Sequence, residues 1–129
     1  MHTDVIARFL VTAFFAIVFL QSGLDKLSDR QGNLDYFGEH FKQSPLASLI
    51  PFLLQVLTFI ELGAGTLCAL GVLTFSFRSK GFGMAASGVA LSGVALLSLL
   101  LGQRLAKDYA GAAVVAAYFA VALIGLVLF

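Results

Sequence analysis

Long apolar runs alternate with short polar interruptions along this chain, and the polar positions are confined to a few places. Runs at about Val5–Leu24, Leu49–Leu73, Gly81–Leu101 and Tyr109–Phe129 each meet the roughly 20 residues a helix needs to cross a bilayer core. The connection Asp25–Ser48 is long, whereas Thr74–Lys80 and Gly102–Asp108 are tight. Tight connections make neighbouring helices antiparallel. The pattern therefore predicts an all-α polytopic membrane protein, an antiparallel four-transmembrane-helix bundle with a long amphipathic loop between the first and second spans. In that loop Leu34, Phe37 and Phe41 recur at helical spacing opposite Asp35, Glu39 and Lys42. Such a segment lies in the interface, with Tyr36 and Phe37 at headgroup level. Ser48, with Pro51 shortly after, suits the start of the second span.

Composition strengthens the membrane reading. Of 129 residues 60% are hydrophobic and only 12% charged, and the mean hydropathy is +0.98. That leaves too little polar surface to cover a soluble globule. One membrane domain over residues 1–129 is expected, with no separate soluble catalytic unit. Arg8 ahead of Phe9–Leu20 has the look of a signal peptide, but Gln21-Ser22-Gly23 lacks a small-x-small cleavage pattern, so the segment is expected to stay as a helix. Cys68 is the only cysteine, which excludes an intramolecular disulfide or a CxxC relay. His2 and His40 are too far apart for a local metal site, and a net charge of +1 gives no case for nucleic acid. Lys26, Arg30, Lys42, Arg104 and Lys107 fall on one side of the bundle, and Arg8, Arg78 and Lys80 on the other. The excess favours the first group inside, but it vanishes if Lys26 and Arg104 belong to a buried site.

Against this background Glu61 stands out. It is the one acid in the run Leu49–Leu73, about 12 residues or roughly 18 Å from the near end of its helix. A central acid costs roughly 3 kcal/mol on insertion scales, which the surrounding Leu, Ile, Phe and Val outweigh. Insertion alone therefore demands no partner, and an acid kept where Leu would insert better points to use. Four antiparallel helices bring Gln21, Ser22, Asp25, Lys26, Gln103, Arg104, Asp108 and Tyr109 to the same end of the bundle. The candidate polar pocket is Gln21, Asp25, Lys26, Glu61, Arg104, Asp108 and Tyr109. Lys26 and Arg104 are the cations expected to reach Glu61 and keep it ionised. Thr58, Glu61, Gly65 and Cys68 share one helix face. The plainer alternative is a buried ion pair that only fixes helix register. No catalytic residue, metal set or intrinsic cofactor follows from these positions.

Two stripes of small residues complete the pattern, Ala85, Gly88, Ser92 and Ala95 on the third span and Ala110, Ala113, Ala117 and Ala120 on the fourth. Both are expected to be packing faces, because small residues let helix backbones approach in lipid.

Three short motifs, in order, carry a family resemblance. Arg8 followed by Gly23-Leu24-Asp25-Lys26-Leu27 resembles the R…GxxKL pattern of DoxX-like membrane proteins. Glu61-Leu62-Gly63-Ala64-Gly65 with the later Leu70-Gly71, and Gly102-Gln103-Arg104 with Asp108-Tyr109-Ala110-Gly111, are similar to further segments of that family. The resemblance implies a small four-helix protein of the bacterial inner (plasma) membrane. Some such proteins are membrane subunits of thiosulfate:quinone oxidoreductase or partners of detoxifying enzymes, and more distant ones help assemble other membrane proteins. It thus implies an accessory or anchoring component linked to redox and quinone metabolism. Quinone or lipid would be its ligand, and membrane or redox subunits, or further copies of the chain, its partners. A non-enzymatic assembly or partner-binding protein is the alternative, and a small transporter a third option.

Overall fold

The computed structural model describes residues 3–75 and 82–129. Helix α1 spans Thr3–Ser28, α2 Arg30–His40, α3 Ile50–Phe75, α4 Phe82–Leu105 and α5 Tyr109–Leu128, with a single 3-10 turn at Ala47–Leu49 ahead of α3. There is no strand among the described residues. Four of the helices, all but α2, are long and apolar enough to cross a membrane. The four-span bundle expected from the apolar runs is the fold. Residues 76–81, including Arg78, Lys80 and the expected start of the third span at Gly81, lie outside the described residues, as does His2.

Small residues set the arrangement. Helix α3 is central, packed against α1 on one side and α4 on the other, with α5 against α4 and lighter α1 contacts to α4 and α5. A β-carbon on Gly65 would sit 2.7 Å from the Leu20 backbone nitrogen, and one on Gly71 would sit 2.8 Å from the Ala85 Cα. Backbones this close leave room only for glycine, the form of contact by which helices associate where lipid removes the hydrophobic drive. Gly88 meets Cys68 in the same way. Phe15, Phe19, Ala64, Val89 and Leu96 form the buried centre of the bundle, whereas Ile17, Phe52, Phe59 and Val127 face outward.

Two helix ends and one helix face depart from the sequence expectation, while the long loop carries the expected helical segment. Helix α1 runs to Ser28 rather than Leu24, and α4 to Leu105 rather than Leu101. In both cases polar side chains at the end find partners, so the helix need not stop where apolarity stops. The loop segment is a true helix whose Asp29 cap accepts a hydrogen bond from the Gly32 amide at 3.2 Å, as N-cap carboxylates do. On α5 the expected stripe of Ala110, Ala113, Ala117 and Ala120 is exposed, while Ala112, Ala122 and Gly125 are buried. Phe119 and Val115 on this inner face pack against the core, so bulk and small residues together, rather than an alanine stripe, dock α5.

The α4–α5 turn closes tightly. Lys107 has φ +61°, its amide donates to the Arg104 carbonyl at 3.1 Å, and the Asp108 amide donates to the Gln103 carbonyl at 2.9 Å. This is a Schellman closure with lysine in the left-handed position usually held by glycine. Asp108 then caps α5, accepting from the Gly111 amide at 2.9 Å. At the far end of the bundle the Arg8 Nε donates to the Leu128 carbonyl, and the guanidinium lies 5.9 Å from the Phe129 ring centroid. A cation at a helix C-terminus is favourable to the exposed carbonyls there.

Candidate functional site

The polar residues gather where α1 ends, α3 and α5 begin and α4 ends, an opening called here the mouth. The face of α3 bearing Leu54, Thr58, Glu61, Gly65 and Cys68 is buried, as steps of three and four residues require of one helix side. Because α1 abuts α3 at Gly23 and Gly65, its last turns are level with Glu61. The Glu61 carboxylate is 2% exposed. Lys26 Nζ lies 2.9 Å from Oε1, Ser22 Oγ donates to Oε2 at 2.7 Å, and Lys26 Nζ donates to Ser22 Oγ at 2.8 Å. The three groups form a closed triangle. Lys26 meets Oε1 as an ion pair off the hydrogen-bond direction, so this buried oxygen has no aligned donor among the described residues.

Helix α2 covers this triangle. The Phe37 ring centroid is 6.0 Å from Lys26 Nζ, within the range of a cation–π contact. Phe41 is buried and faces Gly102 on α4. His40 fastens the end of α2 to the α4–α5 turn, with Nε2 at 3.0 Å from Gln103 Oε1 and 3.4 Å from Asp108 Oδ2. Phe37 also borders an apolar cavity of about 280 Å³, bounded by Phe41, Leu53, Leu57, Leu99 and Gly102 among others.

The residues expected at one pocket therefore divide into several groups. Lys26 and Glu61 meet directly. Asp108 joins His40 and Gln103 instead. Arg104 is exposed and lies 4.8 Å over the Tyr109 ring. Gln21 and Asp25 are exposed, with Asp25 accepting from Asn33 of α2 at 3.4 Å. Of the two cations expected to reach Glu61, Lys26 is the one that does. The reason is reach: Lys26 is four residues from Ser22, on the α1 face turned to α3, whereas Arg104 has an aromatic neighbour at its own helix end. Ser22, Phe37 and His40 belong to this region without standing among the candidate residues. The i, i+4 spacing of Ser22 with Lys26 and of Phe37 with Phe41 was the available signal; nothing local marks His40, whose partner Gln103 is 63 residues away.

What this arrangement can do chemically is limited and definite. An ammonium and a carboxylate together carry no net charge, and they present donors and an acceptor in a water-poor place where hydrogen bonds are strong. The described residues include no cluster of three or more metal-binding side chains. The thiol of Cys68 is buried between α3 and α4, 3.9 Å from Ser92 Oγ.

No curated protein and no solved structure matches the chain. A family model described as DoxX matches residues 6–91, two-thirds of the sequence. The matched span runs from α1 into α4 and holds Arg8, Ser22, Lys26, Phe37 and Glu61, while Arg104, Asp108 and Tyr109 lie beyond it. With four apolar spans and this match, the chain is a multi-pass membrane protein that belongs to the DoxX family.

Proposed function

We propose that this protein is an accessory or anchoring subunit of the bacterial plasma membrane that serves redox and quinone metabolism. Glu61 is its hydrogen-bonding or proton-accepting group. One observation carries the reading: a charge-neutral Ser22–Lys26–Glu61 triangle is held inside the membrane domain with one carboxylate oxygen lacking an aligned donor. A buried ion pair is a poor way to gain stability, since apolar replacements of like volume do as well or better. Its retention between two packed helices is better accounted for by use. In this role Glu61 accepts a proton or hydrogen bond from a quinol head, and Lys26 donates to the carbonyl oxygen of a quinone. The chain supplies position and polarity; a partner subunit takes up the two electrons when a quinol gives up its protons, and supplies them when a quinone is reduced.

The test is the Glu61→Gln variant in the native host membrane. Quinone-linked activity is expected to fall by about a hundredfold or more, the lower end for losing a positioned proton acceptor, and quinone is expected to co-purify with the unaltered protein. Unchanged activity, with no quinone in the purified protein, would eliminate the reading.

A second reading, a partner-binding or assembly protein without redox chemistry, is favoured by the exposed α5 face of Ala110, Ala113, Ala117 and Ala120. Small residues facing outward in lipid suit another helix. Crosslinking from Ala117→Cys that captures neither a second copy nor another membrane protein would remove it.

A further inference from the structure

We infer that the apolar cavity between α3 and α4 is the seat of a hydrocarbon chain, and that Phe37 adjoins both this chain site and the Ser22–Lys26–Glu61 triangle. The ligand class is a long-chain amphiphile with a compact, uncharged head bearing carbonyl or hydroxyl oxygens. This rests on the reading of Glu61 as a headgroup partner.

Three observations support the assignment. First, the cavity is bounded almost wholly by carbon. Ile50, Leu53, Leu57 and Ile60 come from α3 and Leu99 and Leu101 from α4. Ser98 and Gln103 also border it, but the Ser98 hydroxyl donates to the carbonyl of Val94 in its own helix at 3.0 Å and Gln103 Oε1 lies 3.0 Å from His40 Nε2. Such a lining offers nothing to a charged or strongly hydrated group and suits a chain. Second, Phe37 bounds the cavity and also lies over the Lys26 ammonium. One side chain thus adjoins both an apolar slot and buried donors with an acceptor, the two surfaces an amphiphile needs. Third, charge selects the head. Lys26 and Glu61 already neutralise each other, so a phosphate or ammonium head would enter a low-dielectric site without a counter-charge. A neutral head with oxygen atoms would meet the ammonium as donor and the Glu61 carboxylate, which lies 2.9 Å from that ammonium, as acceptor.

The absence of tryptophan from the chain permits a direct test. Val56 lies on the cavity border and is 38% exposed, so Val56→Trp places a lone fluorophore there. Ile17→Trp, at a position 72% exposed on α1, reports collisions in the lipid. Both are reconstituted in phosphatidylcholine nanodiscs and titrated with a decyl-tailed benzoquinone and with the same head lacking the tail. The expected result is saturable quenching at position 56 alone, about tenfold or more tighter for the tailed compound. Adding Ser98→Phe, which fills the cavity from its exposed border, is expected to abolish it with the helical circular dichroism unchanged. Quenching at position 56 no stronger than at position 17, or unaltered by Ser98→Phe, overturns the chain site even if Glu61→Gln disables host activity. Saturable quenching that Ser98→Phe abolishes, with host activity indifferent to Glu61→Gln, upholds the chain site and removes the functional reading alone. Equal competition by phosphatidylglycerol overturns the neutral-head assignment.

Discussion

At the scale of single residues, the Lys26–Glu61 pair decides most. Both side chains are more than nine-tenths buried, so removing either leaves a charge without its partner. Loss of one partner of a buried pair costs about 3–5 kcal/mol, whereas replacing both with apolar groups is near neutral. Lys26→Met or Glu61→Leu alone is therefore expected to lower stability in detergent unfolding by that amount. The double variant is expected to recover most of it, which would separate the pair's stability from any role in activity. Glu61 could be singled out from the sequence because one acid in a long apolar run is conspicuous. Its partner could not be chosen, because Lys26 and Arg104 both sit at helix ends on the same side. The choice depends on the rotation of α1 about its axis, which Gly23 and Gly65 set by close contact rather than by any pattern along α1 itself.

A second residue-scale effect belongs to Lys107. An L-residue in the left-handed region gives up roughly 1–2 kcal/mol per residue relative to its preferred backbone, and glycine does not. Lys107→Gly is expected to raise stability by about 1 kcal/mol, measured by the shift of the unfolding midpoint in detergent. Its amide bond to Arg104 and that of Asp108 to Gln103 should persist, since neither uses the side chain.

Among the elements, α1 and α3 are held by backbone proximity. At Gly65 any β-carbon would press on the Leu20 nitrogen and the Phe19 carbonyl carbon of α1, atoms that cannot rotate away. Gly65→Val is expected to force the two helices apart and to cost about 1–3 kcal/mol or more, read as loss of the folded fraction on gel filtration. Gly38, with nothing within 4 Å of an added β-carbon, is the control at which Ala should be tolerated. The sequence displayed the α4 stripe of Ala85, Gly88, Ser92 and Ala95 correctly as buried, because glycine and alanine there recur every three or four residues with bulk between. The same rhythm on α5 misled. Five of the seven α5 alanines are exposed and only Ala112 and Ala122 are buried, and composition alone cannot tell lipid from protein when both are apolar.

For the whole molecule, the fold places the α2 segment and the α4–α5 turn on one side of the membrane and the Arg8–Leu128 contact on the other. With Lys26 buried, the exposed cations at the mouth are Arg30, Lys42, Arg104 and Lys107, and the positive-inside rule predicts a cytoplasmic mouth, an expectation that labelling checks. Ser44→Cys is expected to react with a membrane-impermeant maleimide only in inverted vesicles, and Asp4→Cys only in right-side-out ones. Native Cys68 is fully buried and should contribute little background. Four spans and their antiparallel order were legible from run lengths and tight turns. The cavity was not, because its walls come from three helices and its position follows from where α2 lands, which is fixed by His40 reaching Gln103 and Asp108.

The lopsided docking of α5 has a mechanical corollary. Helices α1, α3 and α4 interlock through glycines, but α5 leans chiefly on α4 and is fastened at its two ends, by Asp108 with His40 and by Leu128 with Arg8. A chain drawn out of a bilayer by its carboxyl end in a force spectrometer should release α5 as a first, separate rip. The remaining three spans should then resist until a larger pull extracts them together.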